Sequence, residues 1–194
     1  MNVHPITLNG RYIRLEPLSS SHHADLCEIG LDEELWNVTM TLIRTPEEMK
    51  KYIDTSMREQ AERRSLPLAI VDIASNKAIG STRYGNIDTE HRRVEIGWTW
   101  IARPWQRSRV NTETKLLLLT HAFETLGCIR VEFKTDSINN QSRDALLRIG
   151  AKEEGVFRNH MIAPEGRIRH SVYDSIIDSE WKDVKRALER KLAK

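Results

Sequence analysis

The chain has 194 residues, of which 39% are hydrophobic and 30% charged, and a formal net charge of only +2. That length suits one domain over residues 1–194 with a core of its own, and the small net charge excludes a chain-wide electrostatic case for nucleic acid, so any basic surface is local. No apolar run approaches the roughly 18 residues of a membrane span, and the opening MNVHPITLNG lacks the basic-then-apolar pattern of a secretory signal, so a cytoplasmic protein is expected.

The elements follow from periodicity and punctuation. Arg11 to Pro17 alternates in polarity and stops at a proline, as a strand does. Ser19-Ser20-Ser21 offers caps for a helix from His22 to Gly30. Thr45-Pro46-Glu47-Glu48 opens a second helix: threonine caps, proline suits the first helical position and Glu48 completes a capping box. It is expected to run to about Arg63 with Met49, Ile53 and Met57 buried. Leu66–Ala74 and Ala78–Ile87 are β-rich runs joined by the Ser75-Asn76-Lys77 turn, and Arg93–Ala102 continues the meander. The next helix is expected over Thr112–Leu126, capped by Asn111, with Leu116, Leu119, Phe123 and Leu126 as its stripe and Gly127 as its stop. A strand over Ile129–Thr135, a short helix over Asn140–Ile149 ended by Gly150, strands over Ala151–Asn159 and Ile168–Ile177, and an amphipathic helix over Ser179–Leu192 complete the chain. The two cysteines, Cys27 and Cys128, lie outside any CxxC or Cys/His cluster and read as free buried thiols in a reducing compartment, with no metal. This order predicts an α/β (α+β) arrangement, a mixed sheet with helices on its faces.

Three stretches are able to carry chemistry. In WQRSRVNTETK a short loop leads from a strand into a helix, the geometry in which unpaired backbone N–H groups face an anion. Arg103, Arg107, Arg109 and Lys115 against Glu113 leave a local charge of about +3; a solvated basic loop is the plainer reading, and Glu113 in the first turn counts against an anion. In RRVEIGWTWIA strict alternation places Val94, Ile96, Trp98 and Trp100 on one face and Glu95, Gly97, Thr99 and Ile101 on the other. Glu95, a carboxylate among apolar neighbours, fits a general base working near neutrality or an ion pair with Arg83 on the adjacent strand. In DSINNQSRDALLRIGA, Asn139 caps a helix whose buried stripe includes Ser142, Ala145, Leu146 and Ile149. The Ser142 hydroxyl either bonds the backbone of the first turn or donates to something bound beside the helix.

In this order, VEIGWTWI, NNQSRDALLRIGA, RYIRLEPL and SVYDSIIDSEW resemble the GNAT acetyltransferase superfamily and, within it, the RimJ/RimL-like branch of N-acetyltransferases, over nearly the whole chain and most specifically from Arg93 to Gly150. The resemblance implies a GNAT-like, mostly antiparallel central sheet of about seven strands with helices on both faces. It further implies transfer of acetyl from acetyl-CoA, as co-substrate, to a primary amine on a protein N-terminus or small molecule, without a covalent enzyme intermediate. The family's Q/R-x-x-G-x-G/A pyrophosphate loop falls on Gln106, Arg107, Ser108, Arg109, Val110 and Asn111, followed by Thr112. Arg109 and Asn111 replace the small residues that allow close backbone approach, which leaves the amides as donors provided φ at Arg109 is negative. By position, Trp100 and Ile101 fall where a splayed strand pairs with the pantetheine arm, and Asn139 where an asparagine contacts it. Ser142 falls at the serine that protonates the departing thiolate, Leu146 where other members carry a tyrosine for that step, and Glu95 at the general base. A monomer or homodimer is expected. Two rival readings are a non-catalytic acyl-CoA-binding regulator on the same fold and a nucleic-acid module using Arg63, Arg64, Arg92 and Arg93; the small net charge speaks against the latter.

Overall fold

The structure is a computed structural model and describes residues 1–193. One sheet of eight strands runs in the order β1-β2-β3-β4-β5-β6-β8-β7. Its strands are β1 (Leu8–Asn9), β2 (Ile13–Pro17), β3 (Leu66–Asp72), β4 (Ala78–Asp88), β5 (Arg93–Ile101), β6 (Arg130–Asp136), β7 (Lys152–Ile162) and β8 (Ile168–Ile177). The helices are α1 (His23–Gly30), α2 (Pro46–Ala61), α3 (Arg109–Thr120), α4 (Asn140–Ile149) and α5 (Asp178–Leu192). The strand beyond the expected seven is β1, two residues long. Every pairing is antiparallel except β5 with β6.

Two apolar layers sandwich the sheet. Leu118 and Leu119 of α3, Leu146 and Ile149 of α4, and Trp181, Val184 and Leu188 of α5 pack on one face against Val94, Ile96, Val131 and Phe133. Leu26 of α1, Met49 and Ile53 of α2, and Trp36 pack on the other against Ala69, Val71 and Trp100. The α2 start behaves as its sequence dictates: the Thr45 side chain accepts from the Glu48 amide at 3.2 Å and the Glu48 carboxylate accepts from the Thr45 amide at 3.2 Å. Met57 departs from expectation, being 38% exposed, while Ser56 takes the buried place and accepts from Arg83 at 2.6 Å. The helix also stops at Ala61, because Arg63 turns to a φ of 58°.

Helix α3 corrects the expected boundary. It begins at Arg109, capped by Ser108, whose hydroxyl accepts from the Val110 amide at 3.2 Å; Asn111 therefore lies inside the first turn and is not the cap. After Thr120 the helix widens into a π-helical turn over His121–Thr125 and stops at Gly127, whose φ is +67°.

Strand β5 carries the decisive irregularity. Trp98 has a φ of 49°, and across the β4 ladder Gly97 faces Arg83 while Trp100 faces Ser81, so Trp98 and Thr99 together oppose Thr82. This is a β-bulge, and it inverts the alternation beyond it. Val94 and Ile96 keep to the α3 face, but Trp100 crosses to the α1/α2 face, where its ring lies 5.2 Å from Trp36, and Ile101 rejoins the α3 face. The expectation that Val94, Ile96, Trp98 and Trp100 share one face is thus corrected, and Trp98 is 40% exposed.

Candidate active site

The β5–β6 ladder is short: Arg93, Val94 and Glu95 pair with Arg130, Val131 and Glu132, and there the pairing ends. From Ile96 to Ile101 the β5 edge toward β6 is unpaired, so its peptide groups face a wedge between diverging strands. The wedge leads to the N-terminus of α3, where the first-turn amides lack intrahelical acceptors.

The loop into α3 is built around its cap. The Gln106 side chain donates to the Ile101 carbonyl at 2.9 Å and accepts from Gln141 of α4 at 3.1 Å, tying both walls of the wedge together. Arg107, exposed, takes the loop's left-handed conformation with a φ of 56°, whereas Arg109 is not among the positive-φ residues. The amide of Arg109 therefore enters the helix in the ordinary way, as the departure from glycine requires. Its guanidinium lies 5.3 Å from the centre of the Tyr12 ring, turned toward the β2 hairpin. Glu113 does not oppose an anion. Its buried carboxylate accepts the amides of Arg11, Tyr12 and Ile13 at 2.7, 2.8 and 2.8 Å, which withdraws it from the loop.

At the closed end of the wedge Glu95 is 2% exposed. One carboxylate oxygen accepts from Asn86 at 2.6 Å and lies 3.4 Å from the Lys134 ammonium. The other makes no hydrogen bond among the described residues and lies over Gly97, where a Cβ would come within 3.0 Å of it. Arg83 is not its partner, because that guanidinium is taken by Glu59 at 2.7 Å and by Ser56. Nearby, burial, then Glu95 and Glu132, push the Tyr173 hydroxyl up.

Asn139 caps α4 as expected, accepting from the Ser142 amide at 3.0 Å. The Ser142 hydroxyl, half-buried, makes no hydrogen bond among the described residues, so it does not bond the first-turn backbone. Cys128 is a poor nucleophile: burial raises its thiol to about 11. Among the described residues no group of three or more His, Cys, Asp or Glu is placed to hold a metal, and no helix is long and apolar enough to cross a membrane.

Sequence reasoning missed Asn86 and Lys134 and counted Lys115 with the basic loop, although it is buried. Asn86 and Lys134 reach Glu95 from flanking strands, and nothing in their local sequence announces it. Lys115 is buried beneath the wedge, and here a signal existed: it stands three and four residues before the buried Leu118 and Leu119, on the core side of α3.

Known proteins share the family and the fold. The family described as "Acetyltransferase (GNAT) domain" matches residues 13–152. A Bacillus subtilis protein named "Putative ribosomal N-acetyltransferase YdaF" is 35% identical over 100 residues, which cover 52% of this chain and 54% of that relative's length. A GCN5-related N-acetyltransferase from Brucella melitensis superposes with a TM-score of 0.89 at 30% identity, covering 97% of this chain and 89% of that one. Mycobacterium smegmatis RimJ, solved in complex with CoA-disulfide, shares the fold with a TM-score of 0.82 at 20% identity, over 97% of each chain. With the family match spanning most of the chain, this protein belongs to the GNAT acetyltransferase family.

Proposed function

We propose that this protein is an acetyl-CoA-dependent N-acetyltransferase that acetylates a primary amine, a protein or peptide N-terminus in the first instance, by direct attack. The observation that carries this reading is the continuity of the unpaired β5 edge: it begins beside Glu95 and ends at the cationic loop into α3. Acetyl-CoA supplies the acetyl thioester. The first-turn amides of α3 over Arg109–Thr112, with Arg107 beside them, face its pyrophosphate. The edge around Trp100 and Ile101, with Asn139, aligns its pantetheine arm.

An amine must lose a proton before it attacks, and at neutral pH most amines are charged. The unbonded oxygen of Glu95 takes that proton, directly or through one water, while Asn86 and Lys134 hold the other oxygen. Peptide N–H groups on the open edge stabilise charge developing on the thioester oxygen. As the C–N bond forms and the C–S bond breaks, the Ser142 hydroxyl passes a proton to the leaving sulfur and regains one through water, which carries away the second proton that the attacking nitrogen loses.

The acceptor reaches Glu95 along a groove of about 810 Å³ whose lining includes Asn86. Four carboxylates, Asp88, Glu90, Glu132 and Glu154, face two arginines, Arg93 and Arg130, in that lining. An acidic excess suits a cationic amine or basic peptide, and the ribosomal designation of the Bacillus subtilis relative supports a protein acceptor.

Calorimetric titration of acetyl-CoA into the wild type and into Arg107→Ala/Arg109→Ala tests the reading. Binding that weakens about tenfold or more in the double variant is expected, the scale of one charge-assisted phosphate contact, made by Arg107. Equal affinity removes the arginines from the grip, and absence of binding to the wild type overturns the function.

A further inference from the structure

Lys115 has no part in the chemistry above, yet it is among the least comfortable side chains in the protein. It is 5% exposed, and its ammonium has one hydrogen bond among the described residues, to the Thr99 hydroxyl at 3.0 Å. An ammonium carries three N–H donors and is costly to bury without acceptors. Burial pushes it down to about 7 from an ordinary 10.5. A packing role alone is better filled by an apolar side chain of similar length.

Its position is specific. The two side chains it meets stand on opposite walls of the wedge: Thr99 on β5, and Phe133 on β6, whose ring centre is 5.8 Å from the Lys115 nitrogen. Phe133 is the first residue of β6 beyond the β5–β6 ladder, which ends at Glu132, so the ammonium sits on the floor where the strands part. The Trp98 bulge creates this meeting. By simple alternation Thr99 would share the face of Glu95 and Gly97; after the bulge it points toward α3 and is joined to buried Thr82 by a 2.7 Å hydroxyl bond.

We infer that Lys115 is a binding residue for acyl-CoA, donating from the floor of the wedge to carbonyl oxygens of the acyl-pantetheine arm. The inference rests on the acetyl-CoA reading above. It gives the ammonium the acceptors that the protein withholds, and it gives the Trp98 bulge a purpose, which is to turn one β5 side chain under the ligand. Charge-assisted bonds to a carbonyl in a water-poor cleft are stronger than neutral ones. The pantetheine arm is the part of the ligand concerned, because the nucleotide end lies out at the α3 loop.

The test compares two ligands on one protein: acetyl-CoA, and adenosine 3′,5′-bisphosphate, which has no pantetheine arm. Lys115→Met should weaken acetyl-CoA about tenfold, the scale of one charged hydrogen bond, while leaving the bisphosphate unchanged. Lys115→Gln, whose amide still donates, should recover most of the loss. Thermal melting accompanies the titrations, and the Met variant should melt at or above the wild-type temperature, since it removes a desolvated charge. Unchanged acetyl-CoA affinity in Lys115→Met overturns the inference and leaves the function standing. An equal loss for both ligands also overturns it, by showing that the variant disturbs the cleft as a whole. A wild type that binds no acetyl-CoA removes the function and this inference together.

Discussion

The two halves of β5 differ in almost every physical respect although nine residues make up the whole strand. The first half is laddered on both edges and holds Glu95, a buried carboxylate whose partners, Asn86 and Lys134, come from the neighbouring strands. Beyond the bulge the second half is paired with β4 alone among the described residues, and the ionisable group beneath it, Lys115, has a hydroxyl as its one bonded partner among them. A group held by several partners is oriented; a buried charge short of partners costs free energy. One strand thus fixes a carboxylate at its closed end and exposes backbone at its open end.

Glu95→Gln breaks the closed half most severely. It keeps the shape and the Asn86 contact region but cannot accept a proton, so CoA release with an amine acceptor should fall by about 100-fold or more. Acetyl-CoA affinity should be unchanged, and equal turnover in the variant between pH 6 and 9 would remove Glu95 from the reaction.

Stability against pH sharpens the contrast at the open half. Lys115 sits near 7 in the folded protein and near 10.5 in an unfolded chain. Between those values the unfolded chain holds a proton that the folded one has released, so wild-type stability gains as pH rises through this window. Lys115→Met lacks this titration. Its advantage over the wild type should be greatest below pH 7 and shrink by about 2 kcal/mol toward pH 9, at ~1.4 kcal/mol per pH unit in the limit. Denaturant melts at several pH values read this, and a constant gap would mean that Lys115 is not depressed.

On the far wall, Ser142→Ala should slow turnover by about 10- to 100-fold if its free hydroxyl acts as the acid. A solvent-exchange or leaving-group dependence that is identical in both proteins would return Ser142 to a structural part. The smallest effect concerns the loop. Ser108→Ala should cost about 1 kcal/mol by thermal melting and Asn111→Ala much less, since the cap is Ser108.

The fold was largely legible because its signals are local. The Thr45–Glu48 box, Gly127 and Gly150 each act within a few residues of the boundary they set. The α3 start was misjudged because two good caps, Ser108 and Asn111, lie within one turn, and propensity does not rank them. The residues of the proposed site, Glu95, Ser142, Asn139 and the loop from Gln106 to Thr112, are named from the chain by position alone. Its partners were not: Glu113 meets backbone amides about a hundred residues away, and Arg83 chooses Glu59 over Glu95.

The sequence by itself determined the order of strands and helices, most of their limits and the residue types at the cleft, because periodicity, caps and glycine stops are short-range. Only the tertiary structure decided which way the end of β5 faces. A single backbone rotation at Trp98 sends Trp100 to one layer and Thr99 to the other, and no side-chain pattern encodes it. The same holds for Lys115. Its identity is written in the chain, but its burial, and therefore its need for a partner, exists only where α3 closes beneath two parting strands.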